Sequence, residues 1–246
     1  MVKIIYHWHS FLEIDFLRWI ILIDPFIKKD SIFFENLLFD SPYFTDNIYC
    51  DVTLEEIIKK DIKCILVSHL HYDHVGNAID ISSQTSAPII STIENIFILK
   101  NFSVRIGKNI ICEPLHIGWE IKISDYLIKL TPAIHWWSWH WYACGFLIKI
   151  WGKIIYYSGD TALTYEMKLL WELYDIDVAI LPVDGRFNMS VEDSIKAIEF
   201  LAPKIFIPVH INTWDIIRLD KTIKEYYKKV KNTRVIFLSP WDSISL

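Results

Sequence analysis

Short apolar blocks follow one another along this chain, and turn residues separate them at close intervals. Residues 2–6 and 19–23 are β-branched-rich runs of strand length. They read as two strands of a hairpin-like start, joined by a mixed segment. Cys64-Ile65-Leu66-Val67 is short and continuously apolar, as a buried strand is. Residues 87–91, 178–182, 205–209 and 234–238 carry the same signal. Residues 143–150 and 153–157 form a hairpin about Trp151-Gly152, and short strands dominate 110–130, with a turn at 117–120. Between these runs the pattern is helical. Thr53 as N-cap, with Glu56 three residues on, opens a helix that runs to about residue 60. Further helices are predicted over 75–85, 92–99 and 165–173. Ser190 caps another that runs to Leu201, with Glu192 and Asp193 in its first turn, and a last one lies near Lys221–Lys229. Residues 27–50 are irregular and aromatic-rich, a length that suits a lid or rim beside a site. Strand and helix alternate in two halves with no linker between them. That predicts one domain over residues 1–246, of mixed α and β structure.

Composition narrows the class. The chain is 52% hydrophobic with a mean hydropathy of +0.26, yet no apolar run approaches the roughly 18 residues of a membrane helix. The nearest, Phe16–Ile27, is broken by Arg18, Asp24 and Pro25. The first residues lack the apolar region and cleavage site of a signal peptide. The four cysteines are widely spaced, which predicts reduced thiols in a cytoplasmic protein. The net charge is −5, and the single basic block, Lys221–Lys231, alternates with apolar residues as a solvated helix face does. Nucleic acid is not expected as a partner; a small-molecule substrate is, and the aromatic content suits a homo-oligomer.

The chemistry is concentrated in Ser68-His69-Leu70-His71-Tyr72-Asp73-His74, directly after the strand at 64–67. With nine histidines in 246 residues, three within six positions are hard to ascribe to chance. A loop at a strand end is where a rigid sheet holds converging side chains. Imidazole and carboxylate are ligands for Zn²⁺ and similar ions. His69 and His71, two apart on an extended segment, point to one side, and Asp73 and His74 come next and can serve a second ion.

The stretch His-x-His-x-Asp-His resembles the signature of the metallo-β-lactamase superfamily. Three later phrases continue the likeness in order: Thr131-Pro132-Ala133-Ile134-His135, Ile154-Ile155-Tyr156-Tyr157-Ser158-Gly159-Asp160-Thr161, and Ile205-Phe206-Ile207-Pro208-Val209-His210. Tyr6-His7-Trp8-His9-Ser10, Leu22-Ile23-Asp24-Pro25-Phe26 and Leu181-Pro182-Val183-Asp184-Gly185-Arg186-Phe187-Asn188-Met189 are similar to a small single-domain branch of metal-dependent hydrolases that includes ascorbate-6-phosphate lactonase-like proteins. The resemblance implies an α/β fold, an αββα four-layer sandwich. It also implies two divalent ions, Zn²⁺ first, with Mn²⁺, Fe²⁺ and Ni²⁺ able to take the same ligands. His69, His71 and His135 would hold one ion, Asp73, His74 and His210 the other, and Asp160 would bridge. A hydroxide between the ions would attack an ester or lactone, with Asp73 as the catalytic residue that orients it. Phosphodiesterase or phospholipase-D-like hydrolysis is the alternative. From another class, a metal-binding interaction protein with little turnover fits the same residues. A redox di-iron role is disfavoured, because position 71 carries histidine where such relatives carry a carboxylate.

Several residues keep two readings. Asp24 is an outer partner of a metal-bound histidine or plain turn chemistry with Pro25. His9 is a substrate contact or proton donor, or a structural histidine, and His7 and His116 read as structural. Four tryptophans lie within Trp136–Trp141; Trp136 and its neighbours form a substrate wall or a partner interface, and His140 a proton shuttle or a loop support. Arg186 is a clamp for phosphate or carboxylate, or a surface arginine.

Overall fold

A computed structural model describes residues 1–27, 50, 52–135, 142–211 and 221–246. They fall into two compact units, each with its own seven-stranded sheet. The first unit runs to His116 and takes in Tyr142 and Leu238–Leu246; the second holds the rest of Ile117–Phe237.

In the first unit β1 (Val2–Trp8), β2 (Phe11–Phe16) and β3 (Trp19–Ile23) form an antiparallel ladder, extended at its outer edge by β14 (Ser243–Ser245). From β3 the sheet turns parallel through β4 (Ile62–Leu66), β5 (Ile89–Thr92) and β6 (Cys112–Leu115). Helices α1 (Leu54–Ile58), α2 (Tyr72–Val75), α3 (Ala78–Thr85) and α4 (Ile93–Arg105) lie between the parallel strands, as parallel pairing requires. Leu22, Ile65, Val67 and Ile89 on the sheet side share one core with Ile57, Ile81, Ile96 and Leu99 on the helix side. Thr53 makes the expected capping box with Glu56.

The first unit differs from the sequence reading at several elements. The mixed segment between the first strands is itself the strand β2, in the pattern Leu12-Glu13-Ile14-Asp15-Phe16. Its acidic residues hide a period-two alternation, and Glu13 is only 2% exposed. The structure tolerates a buried carboxylate there because His7 Nε2 lies 3.0 Å and Lys60 Nζ 2.6 Å from Glu13 Oε2. Helix α4 runs past Leu99 to Arg105, since Ile96, Leu99 and Ser103 continue its buried face.

Burial alone would raise the Glu13 pKa, but the contacts with His7 and Lys60 outweigh it and hold the group below the ordinary value. A depressed acid contributes stability above its unfolded pKa and loses it as pH falls through the folded one. Glu13→Gln is therefore expected to cost about 1–3 kcal/mol at pH 7. The gap from the native protein should close as pH falls below about 4.3. Urea titrations at several pH values check this; a gap that stays constant down to acid pH would remove the charge argument.

The second unit repeats the plan. β7 (Glu120–Ile123), β8 (Tyr126–Pro132), β9 (Cys144–Ile150) and β10 (Lys153–Tyr157) are antiparallel neighbours in order. The sheet then continues in parallel through β11 (Val178–Pro182), β12 (Ile205–Val209) and β13 (Arg234–Val235). Helices α5 (Glu166–Leu173), α6 (Val191–Leu201) and α7 (Lys221–Tyr227) make the connections. Leu147, Tyr156, Ala179, Leu181 and Phe206 pack with Met167, Leu170, Ala197, Ile198 and Leu201. Ser190 and Asp193 form a capping box at the start of α6. The last predicted strand is paired only over Arg234–Val235. Among the described residues no helix is long and apolar enough to cross a membrane.

Candidate metal centre

Both sheets deliver their histidines and aspartates from the ends of strands, where parallel sheets gather functional groups. In the first unit β3 ends at Ile23, and Asp24 follows with a left-handed backbone, φ +46°. Its neighbour β4 leads into Ser68–His74. Asp24 holds that loop: Oδ1 accepts the Ser68 amide at 2.7 Å, and Oδ2 accepts the Ser68 hydroxyl at 2.7 Å. His74 Nδ1 lies 2.7 Å from the same Oδ2. Carboxylate oxygens only accept, so His74 carries a proton on Nδ1, which leaves Nε2 as the nitrogen able to meet an ion. Ser68 Oγ also lies 3.0 Å from His69 Nδ1, and His69 Nε2 lies 2.8 Å from His71 Nδ1.

Asp73 and His74 sit within α2, whose turn closes through hydrogen bonds from the His74 and Val75 amides to the His71 carbonyl. Gly76 ends it at φ +38°, and a Cβ there would come 2.4 Å from the Pro25 carbonyl oxygen. Only glycine lets the helix stop against this backbone. Asp73 Oδ2 lies 2.8 Å from His9 Nε2 and 3.6 Å from His74 Nε2. His9, Asp73 and His74 thus offer ligand atoms within 4.8 Å of one another, and all three are buried.

In the second unit β8 leads to His135 and β10 to Asp160. The Ile134 amide donates to Thr161 Oγ1 at 2.9 Å, and the Ala162 amide to the Ile134 carbonyl at 2.8 Å, so the two loops are tied beside each other. Asp160 Oδ2 lies 3.7 Å from His135 Nε2 and 3.3 Å from His210 Nε2. His210 follows β12, again with a left-handed backbone, φ +61°. Its Nδ1 lies 2.9 Å from Asp184 Oδ2. Asp184 follows β11, and its Oδ1 accepts the amides of Arg186, Phe187 and Asn188 at 2.9, 2.7 and 3.2 Å. Each unit therefore uses an aspartate after one parallel strand to orient a histidine after the next.

The electrostatics of the second unit are strong. Burial disfavours a charged His210 ring, but the carboxylates of Asp160 and Asp184 outweigh it and hold its pKa well above the ordinary histidine value. Burial likewise opposes ionisation of Asp184, yet His210 and the backbone amides bring that carboxyl down to about 2. A buried carboxylate facing two imidazoles is a good place for a divalent cation, which takes the role of the proton. Two ligands of one zinc ion, each about 2.0–2.2 Å from it, stand roughly 3–3.6 Å apart. The Asp160–His210 and Asp73–His74 separations of 3.3 and 3.6 Å fit such an ion.

Known proteins show which family the chain belongs to. A profile of the β-lactamase superfamily domain matches residues 20–211. The chain belongs to the metallo-β-lactamase superfamily. Its sequence relatives place it in a family of metal-dependent hydrolases. One from Carboxydothermus hydrogenoformans is 39% identical over 195 residues, covering 74% of this chain and 80% of the relative. Another from Methanosarcina mazei is 33% identical over 237 residues, covering 92% and 91%. Among solved structures, a metallo hydrolase from Ignicoccus hospitalis matches with a TM-score of 0.78 at 28% identity, over 99% of this chain and 97% of that one. An isothiocyanate hydrolase from Delia radicum gut bacteria shares the fold at a TM-score of 0.75 and 14% identity, over 99% and 98%.

In this metallo-β-lactamase chain the remaining candidates divide. Arg186 is exposed, with its guanidinium 5.5 Å from the Phe187 ring centroid. His7 belongs to the Glu13 pair described above. Trp136 and His140, with the rest of the Trp136–Trp141 segment, lie outside the described residues. Sequence reasoning passed over Asp184, Ser68 and Ser10. Asp184 had a signal, because it opens a loop after an apolar strand, as Asp24 does. The Ser10 hydroxyl donates to the Asp73 carbonyl oxygen, a link across 63 positions that no local pattern announces.

Proposed function

We propose that this protein is a dinuclear metal-dependent hydrolase acting on an ester or lactone. In this reading His69, His71 and His135 hold one ion, Asp73, His74 and His210 hold the second, and Asp160 is shared. The observation that carries the reading is the single carboxylate oxygen of Asp160 facing both His135 and His210. Divalent ions held there would lower the pKa of water toward about 7 and polarise a scissile carbonyl. The chain's own groups do the rest. Asp24 and Asp184 hold the Nδ1 sides of His74 and His210, which leaves Nε2 of each as the nitrogen for an ion. The burial of Asp73, His74, Asp160 and His210 keeps bulk water from screening the charge that develops at the reacting carbonyl. A cyclic ester is the preferred substrate class, by likeness to the lactonase-like branch. Zn²⁺ is the preferred ion, on the strength of a histidine-rich donor set.

The test is elemental analysis of the purified protein, followed by assays of the metal-loaded enzyme on lactones, simple esters and phosphodiesters. Two ions per chain and turnover of lactones are expected. Turnover of phosphodiesters alone would move the substrate class. Fewer than two ions, with no hydrolysis of any ester, would sink the reading and leave a metal-binding interaction protein in its place.

A further inference from the structure

The turn between β1 and β2 carries two residues of positive φ beside a shift of register. Trp8 has φ +146° and His9 φ +57°, and the β1–β2 register shifts between Tyr6 and Trp8. Left-handed backbone at bulky residues costs on the order of 1–3 kcal/mol each and persists where surrounding contacts impose it. Hairpin turns ordinarily take glycine or asparagine at such positions. Here the two residues that follow the distortion both reach the same target. His9 Nε2 lies 2.8 Å from Asp73 Oδ2, and the Ser10 hydroxyl donates to the Asp73 carbonyl. His9, Ser10 and Asp73 are all buried.

We propose that His9 is a positioning residue that fixes the Asp73 carboxylate for metal binding, and not a substrate contact or proton donor. The assignment rests on the two-ion reading above. A carboxylate cannot donate, so His9 carries a proton on Nε2 and gives it to Oδ2. One hydrogen bond to Oδ2 stops the carboxyl plane from rotating about its Cβ–Cγ bond. Ser10 fixes the backbone from which that carboxyl projects. With His9 fully buried, the bond meets no competing water. His9 stands close enough to Asp73 and His74 to share an ion with them, but its Nε2 is committed to Asp73 Oδ2, and the ligand set that the resemblance implies is complete without it. Such partners of a ligand are typically worth about 10–100-fold in metal affinity.

The test uses cobalt(II) as the probe on the full chain stripped of metal, comparing His9→Ala with His9→Gln. Glutamine places an amide N–H at a reach similar to that of histidine Nε2, whereas alanine places nothing. In the native protein two cobalt ions should bind. In His9→Ala one should weaken by about 10–100-fold with altered visible bands while the other is unchanged, and His9→Gln should restore most of the affinity and the spectrum. If the alanine variant does not fold, His9→Asn, whose amide falls short of Asp73, takes its place. Cobalt binding by His9→Ala or His9→Asn equal to native would overturn the proposal. Outright loss of one ion in both the alanine and glutamine variants would overturn it too, by making His9 a ligand itself. Native protein that binds fewer than two cobalt ions fails the two-ion reading, and this assignment falls with it; a native pair of ions with no effect at His9 fails this assignment alone.

Discussion

Asp160→Ala is expected to leave the metal-free protein folded while removing most of its metal. Asp160 sits beyond the end of β10, and its carboxylate touches His135 and His210 rather than the hydrophobic core. Losing it deletes no packing among Tyr156, Leu147 and Ala179; the metal-free protein loses its pairing with His210, so its melting temperature should fall by a few degrees without loss of the fold. The metal-dependent part should change far more. A saturating ion at about 100 times its Kd adds about 2.7 kcal/mol of stability, and the variant should lose most of that rise. On the two-ion reading, ion content should fall sharply from two per chain, and hydrolysis should fall by more than about 100-fold, since outer partners of ligands alone are worth about 10–100-fold. The proton balance shifts as well. Asp160 is the first of the carboxylates that hold the His210 proton against burial, so its removal moves the His210 pKa down. On the proposed ligand set an ion at His210 displaces that proton, so metal affinity should weaken as pH falls, and less steeply in the variant. Elemental analysis with thermal shifts at several pH values checks each arm. Native-like metal content in Asp160→Ala would remove the shared-carboxylate reading.

The sequence made the ends of strands visible better than what lies between them. The runs before His69, Asp160 and His210 are continuously apolar because β4, β10 and β12 each pair with a neighbour on both sides, and period-free apolar runs read easily. The histidines and aspartates beyond them stand out because such residues seldom follow a buried strand without a use. β2 was not legible, because Glu13 interrupts its apolar face, and its partners His7 and Lys60 lie 6 and 47 positions away. β14 escaped for a related reason: Ser243-Ile244-Ser245 has no strand signature of its own and is paired by β1. The outer layer of the centre divides the same way. Asp24 was legible as one of two readings, and the Ser68 and His74 bonds show what it holds. Asp184 was hidden by Arg186, the more conspicuous neighbour. The Ser10–Asp73 link depends on how β1 and β2 meet the metal loop, which only the folded chain reveals.

Gly145→Ala is expected to damage stability and metal uptake together, unlike Asp160→Ala. Gly145 lies in β9, which pairs with β8 on one side and β10 on the other. Its backbone is not in the left-handed region, so conformational freedom is not the reason for glycine here; space is. A Cβ at this position would meet Thr131 Oγ1 at 2.6 Å, the Tyr157 carbonyl at 2.7 Å and the Ser158 carbonyl at 2.8 Å. A side-chain hydroxyl can rotate away, but two carbonyls anchored at the end of a central strand cannot. Overpacking of this kind costs about 1–3 kcal/mol and occasionally more, and contacts with backbone place Gly145→Ala at the upper end. The displaced atoms lead into the proposed metal ligands: Thr131 is four residues before His135, and Ser158 two before Asp160. Relief of the clash therefore pushes apart the two loops that the Ile134–Thr161 and Ala162–Ile134 bonds tie together. The control is Gly152→Ala in the β9–β10 turn. Its φ is +75° and nothing lies within 4 Å of its Cβ position. It should cost only about 1–2 kcal/mol of left-handed strain and leave metal content untouched. Urea unfolding of metal-free protein, paired with ion counts, separates the two variants. Equal stability losses with full metal content in both would show that the close approach of β9 to the His135 and Asp160 strands plays no part in building the centre.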